Sequence, residues 1–273
     1  MANLRILYND IVINTSVLTA TNTAIGLGAV NMKSEVKSEI HRSTGTSVSY
    51  TLTWAANQSI NAIILPCTNL SGTATIRVRL YDAASAELFD SSTVTAVPGF
   101  NLDISSITHN ANLFAYGYMS KTAIWVPTIY NTVRSCVIDL VDTSNAAGYI
   151  DCSKILAGVY WEPSNNVENG IQIQSIDGSN ISRTNAGELV YDTGFIYDKI
   201  NFNFALLSEN DRTELLKIIR KIGITKNIFI SVFPEYTVNT VEQDYMLYGK
   251  RSNAALSYKV FGFYNHSMEI TSW

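Results

Sequence analysis

Charge is scarce in this chain. Lys, Arg, Asp and Glu together make up 15% of its 273 residues, and the formal net charge is −4. A protein that neutralises phosphates needs a basic stripe, so no nucleic-acid partner is expected; the mild acidity reads as solubility. Cysteine is nearly absent as well. Cys67, Cys136 and Cys152 form neither a CxxC pair nor an even framework, and their apolar strand settings read as buried free thiols made in a reducing compartment. The three histidines, His41, His109 and His266, lie in different parts of the chain and form no metal-ligand spacing, so neither metal nor cofactor is expected. No apolar run approaches the roughly 18–20 residues of a membrane helix, and the start, MANLRILYND, lacks the apolar core of a signal peptide. Synthesis in a cytoplasm, with no membrane insertion, is the expectation.

The usual marks of catalysis are missing too. There is no Walker A sequence and no GxSxG elbow. Gly26-Leu27-Gly28 lacks a third glycine, Asn standing at position 31, so it reads as a loop rather than a dinucleotide site. Cys67 follows Pro66 in an apolar run and reads as packing. Asp139, Asp142, Asp151 and Glu162 are the carboxylates available for glycoside hydrolysis, but Asp139 falls on the outward face of a strand and Asp142 in a turn, where solvation is expected. No catalytic residue is assigned, and a non-enzymatic role is expected.

What is present is β-sheet signal. Hydrophobic residues make up 47% of the chain, with 15 Tyr, a composition suited to strands. The stretch His41–Asp82 reads as three strands. Val48, Tyr50, Leu52 and Trp54 alternate with polar residues, Ile60–Pro66 is a nearly continuous apolar run, and Ile76, Val78 and Leu80 alternate again after a turn at Asn69–Gly72. Such strands need a partner layer, hence a β-sandwich. Residues 83–132 are less regular and read as a loop group holding the aromatics Phe114, Tyr116, Tyr118 and Trp125. Cys136–Leu140 and Ile155–Trp161 close the first part. Residues 163–170 form a polar linker, and 171–273 form a second β sandwich or barrel with one helix over about 208–222. Ser208 and Asp211 fit a capping box, Leu215, Ile218, Ile219 and Ile222 form an apolar stripe, and Gly223 stops the helix. The fold class is therefore mainly β, with domains at 1–162 and 171–273.

Tyr116, Tyr118 and Trp125 admit two readings: a platform on which sugar rings stack, or core and intersubunit packing. The stripe Leu215, Ile218, Ile219 and Ile222 is a candidate docking element for assembly.

Two resemblances add to this. The lead-in His41-Arg42-Ser43, the strand ending at Trp54, INAIILPCTNLS, TATIRVRLYD, CVIDL and GYIDCSKILAGVYW, in that order, resemble the galactose-binding-like (discoidin-type) jelly roll over residues 1–162. That resemblance implies an eight-stranded sandwich with ligand binding by loops at one end. FNFALLSENDRTELLKIIRKIG and KNIFISVFPE resemble tail-tube-like and distal-tail proteins of tailed bacteriophages over residues 171–273. This implies a structural virion component at the tail tip, forming a homo-oligomeric ring (a hexamer or trimer) with other tail proteins as partners. The alternative is a carbohydrate-binding protein that recognises a host surface glycan.

Overall fold

The computed structural model describes residues 2–97, 120–235, 241–252, 255–260 and 263–272. The fold is mainly β, a first unit of curled sheet and a second β unit carrying one packed helix. Residues 2–97, 120–162 and 229–246 cluster into one compact unit, and 163–228 with 247–272 into another.

The first unit is built on two long strands, Ser47–Thr68 and Ser120–Val141, paired antiparallel from Ser47↔Val141 to Thr68↔Ser120. The first two strands expected from sequence, around Val48–Trp54 and Ile60–Pro66, are thus one strand. Register shifts between Thr53 and Ala62 join them, because a bulge bends a strand without ending its ladder. Burial changes at that bend. Alternate residues are buried up to Trp54, Ala55–Ser59 emerge, and every residue from Ile60 to Thr68 is buried. One strand therefore serves two layers, the corner of a sandwich. Likewise Ser120–Thr132, expected as loop, belongs to the second long strand. The sheet runs in the order His41–Arg42, Asp151–Cys152, Ser47–Thr68, Ser120–Val141, Thr75–Tyr81, Glu87–Asp90. The inward faces, with Tyr50, Leu52, Trp54, Ile63, Val78, Cys136 and Ile138, form its core.

Polar groups lock this core. Trp54 is 1% exposed and its Nε1 donates to the Ile11 carbonyl at 2.9 Å. His41 is buried, its Nδ1 2.9 Å from the Tyr50 hydroxyl, and burial lowers its pKa. The three cysteines are free and buried; desolvation pushes the Cys152 thiol up to about 12. Asp142, expected to be solvated, is 1% exposed. It accepts from the Ser71 amide at 2.8 Å and the Ser71 hydroxyl at 2.6 Å, pinning one turn to another. Asp151 is equally buried and takes Arg42 in a two-pronged contact at 2.8 Å on each arm.

Lys154 is fully buried. Its ammonium donates to the carbonyls of Lys33 and Ser34 and to Glu35 at 2.8 Å, with Asp10 at 3.6 Å. Four oxygens compensate one buried cation, as burial of a charge requires. Asp10 accepts from the amides of Val12 and Ala157, yet desolvation raises its pKa to about 6.

In the second unit the strand Ile196–Leu207 pairs with Gln172–Asp177 on one side and Phe263–Ser272 on the other. The helix Glu209–Ile222 packs on this sheet. Ser208 Oγ accepts from the Asp211 amide at 3.2 Å and donates to its carboxylate at 2.7 Å, and Gly223 closes the helix at φ 58°. Only a residue tolerant of positive φ serves there without strain. Leu215, Ile218 and Ile222 are buried and Ile219 half-buried. The apolar stripe proposed for docking is thus covered within its own unit. A separate hairpin, Asn180–Arg183 with Leu189–Asp192, is exposed at every position.

Trp54→Ala should lower stability by about 3–5 kcal/mol, the cost of a large core truncation, read as a shifted urea midpoint at unchanged m. For Asp10, a folded pKa of about 6 lies above the unfolded value of about 3.9. Its protonated form therefore contributes stability that is fully present below about pH 4 and lost as pH rises through about 6. Asp10→Asn should flatten that slope, by up to about 3 kcal/mol, in urea titrations across the same pH range.

Candidate functional site

The strand Ser120–Val141 sets Trp125 opposite Ala62, and the indole remains half-buried. Arg5, on the strand Arg5–Leu7, lies with its guanidinium carbon 4.9 Å from the Trp125 ring centre and 4.6 Å from that of Tyr160. Tyr160 meets Trp125 edge-on at 5.3 Å and 86°. The guanidinium is held between rings and anchored by Glu162 at 3.0 Å and Glu235 at 2.9 Å. A flat delocalised cation suits this place: it stacks and forks at once.

The short helix Val241–Asp244 adds a third carboxylate. Gln243 fastens it to the strand: its Nε2 donates to the Lys121 carbonyl at 2.5 Å, and its Oε1 accepts from the Lys121 amide at 3.1 Å. That clamp brings Glu242 beside the indole, where its Oε1 accepts from Trp125 Nε1 at 3.3 Å and from the Glu235 amide at 3.1 Å. Glu242 is 4% exposed, and desolvation raises its pKa.

Trp125, Glu235 and Glu242 border a cleft of about 710 Å³. Phe89, Trp125, Ile124, Val94 and Pro127 supply apolar wall, while Asp90, Ser91, Thr95, Glu235 and Glu242 supply polar groups. Asp90 receives both arms of Arg77, at 3.0 and 2.5 Å, which holds its carboxyl down at about 2. A hollow in the second unit, of about 380 Å³, has no aromatic residue among the described residues of its wall.

Of the aromatics singled out from the sequence, Trp125 lies in the cleft; Tyr116 and Tyr118 lie outside the described residues. The candidate hydrolytic carboxylates are not brought together as an acid–base pair. Asp139 pairs with Arg79 at 2.5 Å and accepts from Ser49, Asp142 and Asp151 hold turns and strands, and Glu162 anchors Arg5. Sequence reasoning missed Arg5, Glu235, Glu242 and Phe89. Arg5 and Glu242 stand 120 and 117 positions from Trp125, a separation that leaves no local pattern. Among the described residues, no group of three His, Cys, Asp or Glu side chains is placed to hold a metal ion.

No protein-family model matches the chain, and no curated protein matches it. Solved structures overlap it loosely. A Streptococcus pneumoniae fucose binding module shares 10% identity, over 56% of this chain and 99% of its own, at a TM-score of 0.37. Chitosan-binding module 1 from a Paenibacillus sp. IK-5 chitosanase/glucanase shares 10%, over 55% and 99%, at 0.39. A third, CBM32-3 from a Clostridium perfringens family 31 glycoside hydrolase, shares 11%, over 55% and 93%, at 0.37. Overlaps this loose transfer neither ligand nor binding residue, so the functional reading rests on the cleft itself.

Proposed function

We propose that this is a carbohydrate-recognition protein that binds a glycan in the Trp125 cleft of its first unit. The observation that carries the proposal is the pairing, in one cleft, of a half-buried indole with carboxylate and hydroxyl acceptors. Sugars present an apolar C–H face and a rim of hydroxyl donors, so a site for them needs an aromatic wall and fixed polar groups in the same place. Arg5, Tyr160 and Glu242 hold the indole in one orientation, which lowers the ordering cost of binding. The role is recognition rather than turnover; release of reducing sugar from bound glycan would contradict that part.

A second reading is favoured by the exposed hairpin. Ile181 pairs with Tyr191 and Arg183 with Leu189 across it, so Ile181, Tyr191 and Leu189 share one face with Arg183, and the three apolar residues are 65%, 61% and 46% exposed. A lone hairpin with an open apolar face gains by being covered. In this reading a second copy covers it, giving the ring of a virion tail-tip component whose first unit displays the glycan site. Light scattering showing a concentration-independent monomer would contradict it.

On a glycan array, Trp125→Leu should lose at least about tenfold in binding, equal to about 1.4 kcal/mol, with its urea midpoint close to that of the parent protein. A folded Trp125→Leu protein that binds as before would overturn the cleft assignment.

A further inference from the structure

The charge in the cleft is one-sided. Among the described residues that line it, Asp90, Glu235 and Glu242 are acidic and none is Lys, Arg or His. Two of the three have a cation of their own: Asp90 is forked by Arg77, and Glu235 takes Arg5. Glu242 does not. Among the described residues its hydrogen bonds come from Trp125 Nε1 and the Glu235 amide, and both reach Oε1. Among the described residues nothing donates to the second oxygen, Oε2, on a side chain that is 4% exposed and lines the cleft.

A buried carboxylate with one oxygen open to a cavity wants a donor, and most of all a charged one. Hydrogen bonds between ionised partners are roughly twice as strong as neutral ones, and a buried charge left without a partner is costly. An acidic sugar would bring like charge against three carboxylates. A neutral sugar would offer only a hydroxyl. An ammonium offers donors and opposite charge together, while the ring bearing it keeps its C–H face for Trp125.

We infer that the glycan recognised here is an amino sugar with a free ammonium group, which Glu242 Oε2 accepts while the ring packs against Trp125. This rests on the reading of the cleft as a glycan site, and names the class of sugar.

Calorimetry with the full chain tests it, against a β-linked glucosamine oligosaccharide, its fully N-acetylated counterpart and a neutral glucan of equal length. The pH should keep the amine protonated and carboxylates ionised. An oligolysine of matched charge controls for the general attraction of a polycation to an acidic protein. The glucosamine oligomer should bind at least about tenfold tighter than either uncharged oligomer and than oligolysine. A charge-assisted hydrogen bond of about 1.5–3 kcal/mol predicts a preference of about 10–100-fold. Glu242→Gln should erase most of that preference, read as the ratio of glucosamine to neutral oligomer affinity. If that variant fails to fold, the ranking of ligands by the parent protein decides alone. Equal binding of acetylated or neutral oligomers, or equal binding of oligolysine, overturns the amino-sugar inference and leaves the glycan reading standing. Binding of none of the sugars overturns both.

Discussion

The pairing of Ser47–Thr68 with Ser120–Val141 is the constraint on which the first unit depends. Each strand is 22 residues long, and the register shifts near Gln58 and Ile60 let both bend together. Before the bend, alternating burial makes a half-solvated face; after it, continuous burial makes a layer covered on both sides. Because pairing at period two sends each side chain to a definite face, the register that buries Ile63 and Leu65 also sets Trp125 at the edge of the cleft. A slip of one residue would send the indole to the opposite face and leave Arg5 without its ring.

That backbone frame is then locked by ion pairs, each with a different job. Arg42–Asp151 ties the short edge strands together, and Lys154 closes a cage of oxygens under the Lys33–Glu35 turn. Arg5 is part of the site itself: by stacking on two rings while bonding Glu162 and Glu235, it fixes the aromatic wall. Glu242 is set apart from these pairs because, among the described residues, no cation hydrogen-bonds to it. The site thus combines a rigid apolar wall with a buried carboxylate that has one oxygen without a donor among the described residues.

Much of the fold was legible in the sequence. The alternation from Val48 to Trp54, the apolar run from Ile60, and the capped, striped helix ending at Gly223 are local patterns, and local patterns survive in a one-dimensional reading. The joining of two strands through Ala55–Ser59 was not, since an exposed bulge and a turn share the same polar residues. The burial of Asp142 and Lys154 was hidden too, because each depends on partners 71 and about 120 residues away. The segment 229–246 carries no local mark of the unit it packs in. For the same reason Trp125 could be named as a candidate, while Arg5, Glu235 and Glu242 could not. Helical periodicity marked Leu215, Ile218 and Ile222 as an apolar face, and an apolar face is first of all what a helix turns to its own sheet.

The most direct measurement of the central claim is two-dimensional NMR of the indole N–H resonances of the four tryptophans during titration with glucosamine oligosaccharide. Trp125 Nε1–H is hydrogen-bonded to Glu242, so glycan entering the cleft must disturb it. The account predicts a saturable shift of the Trp125 indole signal while buried Trp54 stays fixed. A binding glycan that leaves Trp125 unmoved would place the site elsewhere and contradict the account.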